Sequence, residues 1–382
     1  MGAAAEFRIP LLELSVAQGT SRTPILRILA IVVVGAAVCL LVYYSPAFFY
    51  KEEKPAPAVH LQTGGTSVVD IMMENRWRNA YRKEKEVVVD YESTGSTKGI
   101  QGMLEGQYAI AFTHAPLTGE QRQTAGGKRG EVIQVPVVLC AVVPIYNVKE
   151  LNEKPPLHFT GEVLADIFLG KIDHWNDPVL KKLNPEVDLP PTPIVVIHRQ
   201  DSSGTTWLFT DYLHQVSERW RQEVGAPANE IAWKVGVGKL RNQGVKNEVY
   251  ATEGAIGYVD LIHALPGEVP YGAVENHDHT AFIHAQAANL TAAVAGQLAD
   301  LPDDLTFHLT NRAGKDAYPI AGVIWAVCYQ AQPADRHSQV VDFLWWATHD
   351  GQRFATDMAY APLPPELVGR VEKKVQSICA AP

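Results

Sequence analysis

Residues 197–210 decide how the chain folds, and they read IHRQDSSGTTWLFT. An apolar strand pattern ends at His198, and a helical pattern begins after Arg199, Asp201 and a run of small hydroxyl residues. Main-chain N–H groups at a helix start lack partners within the helix and carry the positive end of its dipole, so they attract anions. Arg199 adds a planar set of donors that Asp201 can hold in place. The stretch predicts an oxyanion site, although an ordinary Ser or Asp helix cap has the same pattern.

Two earlier stretches repeat this strand, turn and helix order. Residues 87–100 read VVVDYESTGSTKGI, and residues 60–69 read HLQTGGTSVV. In α/β proteins, helix N-termini that meet at one edge of a sheet can hold an anion without a metal. The repetition therefore favours one ligand approached from several turns.

Composition narrows the class of protein. The 382 residues are 47% hydrophobic and 20% charged, enough to build two hydrophobic cores. A net charge of −9, without a stripe of Lys and Arg, argues against nucleic acid as a partner. From Val59 onward, helix and strand patterns alternate, which predicts an α/β fold.

The N-terminal region predicts one membrane span. Residues 28–50 contain no charged residue and are long enough to cross a bilayer as a helix. Arg22 and Arg27 precede them, so the positive-inside rule places residues 1–27 in the cytoplasm. A cleaved signal peptide is the alternative, but no small-x-small cleavage site follows the run. We expect an uncleaved anchor, a stiff linker at residues 51–58, and a folded part outside the cytoplasmic membrane.

Further segments carry a family resemblance. Besides RQDSSGT at residues 199–205, they are LADIFLGKIDHWND at 164–177, LNP at 183–185, GAIGYV at 254–259, AYPI at 317–320 and YAPLP at 360–364. In order and spacing, the chain resembles the phosphate-binding proteins of bacterial ABC-type phosphate uptake, which are extracytoplasmic solute-binding proteins. The resemblance covers nearly all of the chain beyond the N-terminal region.

The resemblance implies a two-lobed, periplasmic-binding-protein-like α/β fold with two crossover strands. Lobe I is expected to comprise residues 59–140 and 319–382, and lobe II residues 141–318. The apolar runs 137–143 and 323–328 are the expected crossovers. They contain Cys140 and Cys328, for which a disulfide and two buried free thiols both remain open, the thiols being favoured.

The resemblance also implies a ligand, inorganic phosphate, and a partner, the membrane subunits of an ABC permease, with no cofactor, metal or enzymatic step. The residues expected to bind phosphate are Thr66, Ser67, Ser96, His114, Arg199, Ser203, Gly204 and Thr205, with Asp201 orienting the arginine. Ser67 departs from the family, which usually has an aromatic residue there.

His114 is the sharpest departure from the family. The family's SDAPL segment reads THAPL at residues 113–117, so His114 replaces an aspartate that accepts the proton of hydrogen phosphate. A neutral histidine can accept that proton, whereas a protonated one would donate to any dianion. One alternative to phosphate uptake is therefore a broader, sulfate-like oxyanion receptor. Another, which the uncleaved anchor would suit, is a membrane-tethered phosphate sensor or scaffold.

Other chemistries fit the sequence poorly. His198, Asp201 and Ser203 are too close in sequence to form a hydrolase triad, and GVGK at residues 236–239 lacks the spacing of a phosphate-binding P-loop. Three further histidines lie in a polar stretch expected to be a solvated loop, where we expect no metal: His277, His279 and His284.

Overall fold

The computed structural model describes residues 59–151, 155–265, 267 and 269–381. The predicted tail, anchor and linker lie outside this part of the chain. Within it, no helix has both the length and the apolar character that crossing a bilayer requires. Ala58–Pro382 forms one folded unit.

The described residues alternate strands and helices. The strands are β1 (Val59–Gly65), β2 (Val87–Ser93), β3 (Ile110–Thr113), β4 (Val132–Asn147), β5 (His158–Phe159), β6 (Val195–Arg199), β7 (Val237–Lys239), β8 (Ala255–Asp260), β9 (Ala273–Glu275), β10 (Phe282–Ile283), β11 (Ala321–Tyr329), β12 (Ala331–Gln332) and β13 (Cys379–Ala380).

The helices alternate with these strands and include short π and 3₁₀ turns. They are α1 (Asp70–Met72), α2 (Arg78–Lys85), α3 (Ser96–Glu105), α4 (Gly119–Lys128), α5 (Gly161–Phe168), α6 (Pro178–Leu183), α7 (Gly204–Val216), α8 (Glu218–Glu223), α9 (Arg241–Ala251), α10 (Leu261–Ala264), α11 (Ala287–Ala295), α12 (His337–Thr348) and α13 (Pro365–Gln376). A π turn, Met73–Trp77, joins α1 to α2, and the 3₁₀ turns are Lys149–Leu151, Leu298–Asp300, Asp350–Phe354 and Thr356–Met358.

One mixed sheet organises the two lobes of this α/β fold, with strand order β2-β1-β3-β11-β4-β8-β6-β7. Parallel strands β1, β2 and β3 form one end, and parallel strands β6, β7 and β8 form the other. The long strand β4 pairs with β11 through residues 132–141 and with β8 through residues 142–147. It is therefore the strand that both halves of the sheet share.

The two apolar runs expected to cross between lobes lie in β4 and β11. Both strands are buried along their whole length, as expected where both faces of a sheet are covered. The β4–β11 register shifts between Ile324 and Trp325, opposite Pro136, which has no N–H to donate to the ladder. Cys140 and Cys328 are buried and free, which agrees with the favoured alternative of two thiols.

The cores of the two halves contain large aromatic side chains. Trp77 and Trp346 meet edge to face in one half, with ring centroids 6.2 Å apart. Phe209 stacks on Tyr258 in the other at 4.5 Å. Such pairs favour a single packing arrangement beyond simple burial. The core therefore holds the ends of the strands, and the turns that follow them, in fixed positions.

Candidate functional site

The turn after β1 places Thr66 beside His114. The Thr66 Oγ1 atom accepts a hydrogen bond from the Val68 main-chain N–H at 3.3 Å and lies 3.0 Å from His114 Nδ1. The Tyr91 hydroxyl donates to the Thr66 carbonyl at 2.5 Å, and the Thr66 N–H donates to the Phe112 carbonyl at 3.0 Å. These contacts hold the buried Thr66 side chain in one orientation.

The turn after β2 brings Ser96 to the same place. Gly95 has a φ of 88°, which side-chain-bearing residues rarely adopt, and its N–H donates to the Gly65 carbonyl at 2.8 Å. A Cβ atom on Gly95 would lie 2.7 Å from the Ser202 carbonyl oxygen. Ser96 then starts α3 fully buried, and its Oγ has no hydrogen-bond partner. A buried hydroxyl without a partner marks a position that a polar ligand can satisfy.

The turn after β6 fixes the arginine. Arg199 donates to Asp201 from Nε to Oδ1 at 2.7 Å and from Nη2 to Oδ2 at 2.5 Å. Its Nη1 donates to Asn242 Oδ1 at 3.3 Å, and the side chain is 1% exposed. Partial burial alone would raise the pKa of Asp201, but hydrogen bonds and charge from Arg199 hold that pKa below its ordinary value. Asp201 is therefore an ionised partner that accepts two hydrogen bonds from the guanidinium.

The N-terminus of α7 packs against the other turns. A Cβ atom on Gly204 would lie 2.6 Å from Ser96 Oγ and 2.7 Å from His114 Nδ1, so only glycine permits this approach. Ser203 Oγ accepts from the Thr206 N–H at 3.3 Å, which makes Ser203 a helix cap as well as a candidate ligand residue. The Gly204 and Thr205 N–H groups are among the first in the helix, which lack carbonyl partners within it.

His114 is neutral in this environment. It follows β3 and is 1% exposed. Burial, and then the charge of Arg199, lower the pKa of His114 from 6.5 to about 3. The protonated alternative raised by the sequence therefore does not apply near neutral pH. The ring Nε2 atom has no hydrogen-bond partner.

Most of the predicted residues converge. We call the place where Thr66, Ser96, His114 and Gly204 meet the turn junction. Asn242 links the Thr205 side chain to Arg199, because its Nδ2 donates to Thr205 Oγ1 at 3.4 Å and its Oδ1 accepts from Arg199 Nη1 at 3.3 Å. Ser67 differs, since it lines an open pocket alongside the junction together with Asp70, Gly95 and Asp201.

Sequence reasoning missed the residues that bridge the two halves of the sheet. Thr97 Oγ1 lies 2.7 Å from Ser202 Oγ and accepts from Asn229 Nδ2 at 3.1 Å. Arg241 Nη2 donates to the Ser93 carbonyl at 3.3 Å. Thr97 lies within the stretch 87–100 that the sequence singled out, but its partners are more than a hundred residues away and no local pattern indicates them.

The histidines of the polar stretch are used locally. His277 Nδ1 lies 3.0 Å from Asp278 Oδ1 and His279 Nδ1 lies 2.9 Å from Glu275 Oε2, while His284 stacks on Tyr271. In the part of the chain that the structure describes, another group of side chains of types that bind metals lies close together. It is formed by His114, Cys140 and Asp260, whose ligand atoms lie within 4.8 Å of one another.

Comparisons with known proteins match this architecture. Residues 51–350 match the model of the PBP superfamily domain. The phosphate-binding protein PstS of Xylella fastidiosa is 33% identical over 316 residues, which cover 82% of this chain and 84% of that protein. The chain belongs to the PstS family. PstS of Pasteurella multocida is 32% identical over 298 residues, covering 78% of this chain and 84% of that protein.

Solved structures agree with the fold that this family has. The phosphate-binding protein of Stenotrophomonas maltophilia superposes with a TM-score of 0.61 at 20% identity, and the match covers 83% of this chain and 94% of that one. At this identity the likeness supports the two-lobed α/β fold alone.

Proposed function

We propose that the chain binds inorganic phosphate at the turn junction and delivers it to an ABC phosphate permease. The observation that carries the proposal is the approach of Gly204 to Ser96 and His114, which brings turns from both ends of the sheet together beside the buried Arg199. The names of the relatives, phosphate-binding proteins, point to the same ligand. The site residues proposed are Thr66, Ser67, Ser96, His114, Arg199, Ser203, Gly204 and Thr205, with Asp201 orienting the arginine.

The junction offers donors suited to a tetrahedral anion. The guanidinium, the hydroxyl groups and the first N–H groups of α7 all donate, and hydrogen bonds to a charged group contribute about 1.5–3 kcal/mol each. Micromolar affinity corresponds to about 8 kcal/mol. A few of these bonds therefore account for micromolar binding after ordering costs, without a metal or a covalent step.

Lobe closure would complete the site. We place lobe I at residues 59–140 and 319–382 and lobe II at residues 141–318, so that the boundary falls within β4 near Ala141. Hinge bending there would separate Ser96 from Gly204. The contacts of Thr97 with Ser202 and Asn229 would then hold the closed form around the ligand.

The N-terminal region suggests where the protein lies in the cell. We place residues 28–50 in the cytoplasmic membrane as an uncleaved anchor, with the binding domain on the periplasmic or extracellular side. Anchoring keeps the protein beside its permease and also suits a tethered phosphate sensor, the alternative role. Phosphate uptake by cells distinguishes the transport role from the sensor role. If the protein is only a sensor, a variant that cannot bind phosphate should leave transport intact, whereas a protein that delivers phosphate to the permease should lose uptake in the same variant.

Isothermal titration calorimetry of the full-length protein in mild detergent tests the proposal. We expect one phosphate per chain with micromolar or tighter affinity, and we expect Ser96→Ala to weaken it. Ser377→Ala is a matched control, since that serine lies at the C-terminus of α13 and bonds only the Lys374 carbonyl through its hydroxyl. Absence of phosphate binding by the wild-type protein would refute the proposed function.

A further inference from the structure

An open pocket adjoins the turn junction. Its volume is about 540 Å³, and three of the residues that line it belong to the turns of the proposed phosphate site, namely Ser67, Gly95 and Asp201. Asp201 also holds the Arg199 guanidinium through two hydrogen bonds. A water molecule occupies about 30 Å³ in the liquid, so the pocket has room for a group of several heavy atoms beside an anion at the junction.

Ser67 is a buried polar side chain on the wall of this pocket. It is 7% exposed, and its hydroxyl makes no hydrogen bond to the residues that the structure describes. Buried hydroxyl groups are rarely left without a partner, so this one is available to a polar ligand in the pocket. The aromatic residue usual in the family at this position would fill space that serine leaves open. Ser67 therefore marks the place where a ligand larger than phosphate can extend.

Acidic side chains dominate the rest of the wall. Asp70 begins α1, Glu74 lies in the π turn after it, and Glu92 lies in β2. The basic side chains on the wall are Lys98 and Arg241. Three carboxylates therefore share the wall with two basic groups, which leaves an excess of negative charge.

Asp70 is the carboxylate most in need of a positive partner. Burial, and then the charge of Glu74, raise its pKa to about 6, although Ser93 and Arg241 act against the rise. At pH 7 the group is mostly ionised, with too little positive charge around it to hold its pKa low. The Arg241 guanidinium is engaged elsewhere, since its Nη2 donates to the Ser93 carbonyl at 3.3 Å. An ammonium group beside Asp70 would supply the missing charge.

We propose that the pocket accepts the substituent of an organic phosphoryl compound, so that the protein binds phosphonates or phosphate monoesters with a short aminoalkyl chain as well as inorganic phosphate. The inference rests on the proposed function and widens its substrate class. The phosphoryl group lies at the turn junction against Arg199, and the ammonium group lies among Asp70, Glu74 and Glu92.

Charge selects the substituent. A second phosphate, as in pyrophosphate, or a carboxylate would lie next to Asp70, Glu74 and Glu92, and like charges at close range repel each other. A neutral alkyl group fits the space but gives the carboxylates no partner. An ammonium group donates up to three hydrogen bonds, which suits several carboxylates at once. Asp70 follows Ser67 by only three residues, so we expect a short chain rather than a long one.

Isothermal titration calorimetry of the full-length protein in mild detergent tests the inference with four probes. Aminoethylphosphonate and phosphoethanolamine carry the amine through a P–C and a P–O bond, and the tighter of the two identifies the preferred linkage. Propylphosphonate matches aminoethylphosphonate in size without its charge, and we expect it to bind about tenfold more weakly, because it lacks a charged hydrogen bond to the wall. Phosphonopropionate, which brings a carboxylate to the acidic wall, should bind more weakly still.

Asp70→Asn tests where the amine lies. The change removes one charge with little change of shape, so the affinity for aminoethylphosphonate should fall about tenfold while that for phosphate stays within about threefold of wild type. Asp357→Asn is the matched control, because Asp357 is exposed in the 3₁₀ turn Thr356–Met358 and does not line the pocket. If Asp70→Asn does not fold, Glu74→Gln at an exposed position of the same wall should lower the affinity for aminoethylphosphonate about threefold.

Three results would overturn the inference while leaving the proposed function intact. They are phosphate binding without measurable binding of either amine, equal affinities for aminoethylphosphonate and propylphosphonate, and an affinity for aminoethylphosphonate that neither wall substitution changes. A wild-type protein that binds neither phosphate nor the amines would refute the proposed function and the inference together. Binding of the amines without binding of phosphate would refute the proposed function and support the substituent pocket.

Discussion

Replacing Arg199 by alanine should abolish tight phosphate binding, and the structure sets the size of the loss. A guanidinium has five N–H donors. Asp201 takes the Nε donor and one from Nη2, and Asn242 takes one from Nη1, which leaves one N–H on each terminal nitrogen for the ligand. At about 1.5–3 kcal/mol for each charged hydrogen bond, these donors contribute about 3–6 kcal/mol. The expected loss of affinity is therefore about 10²-fold to 10⁴-fold.

Calorimetric titration with phosphate measures this loss, and a second arginine provides the control. Arg219 also pairs with an aspartate, Asp166, but its side chain is 49% exposed, so Arg219→Ala should bind phosphate as wild type does. Arg199→Lys keeps the charge but cannot reproduce the two-bond contact with Asp201, so its affinity for phosphate should lie between those of Arg199→Ala and Arg219→Ala. If Arg199→Ala bound phosphate within about threefold of wild type, the two free N–H groups would not face the ligand and the reasoning would fail.

Other substitutions test the glycine contact, the bridge between the turns and the Arg199–Asp201 pair separately. Gly204→Ala places a Cβ atom 2.6 Å from Ser96 Oγ and should weaken phosphate binding more than about tenfold. Gly244→Ala is the control, because its new Cβ atom meets nothing closer than 3.5 Å and binding should not change. Equal calorimetric affinities for the two variants would contradict this prediction. Thr97→Val removes the contacts with Ser202 and Asn229, and it should weaken binding by about three- to tenfold while thermal unfolding shifts little. Arg199 lowers the pKa of Asp201 below 3.8, so the pair stabilises the fold above that pH and loses this contribution as the pH falls through the lowered pKa. The free energy of unfolding of Asp201→Asn, measured by chemical denaturation, should therefore decrease less steeply in acid than that of wild type.

Local patterns predicted the parts of the site that lie next to each other in sequence. Arg199 and Asp201 are two residues apart on one strand end, so their pairing follows from the sequence, and the small residues at Gly95 and Gly204 marked turns that the structure indeed uses. The apolar runs in β4 and β11 likewise predicted buried strands. What these features share is that each depends on the chain within a few residues.

The rest depends on contacts that only the folded chain creates. Asp260 lies behind His114 because β8 pairs with the far end of β4, and no spacing in the sequence indicates this pairing. Asn242 reaches the Arg199 guanidinium from α9, a contact that the sequence spacing does not indicate either. The neutral state of His114 follows from burial and from the charge of Arg199, which are properties of the assembled core. At Ser203 the sequence could not separate two roles, because the same side chain caps α7 and is a candidate phosphate-binding residue.

A crystal structure of the protein grown with phosphate is the decisive test of phosphate binding at the turn junction. We expect one phosphate there, with its oxygens about 3 Å from the free Arg199 nitrogens, Ser96 Oγ and the Gly204 N–H. A phosphate bound elsewhere, with the junction closed and the Arg199 donors facing only protein atoms, would contradict it.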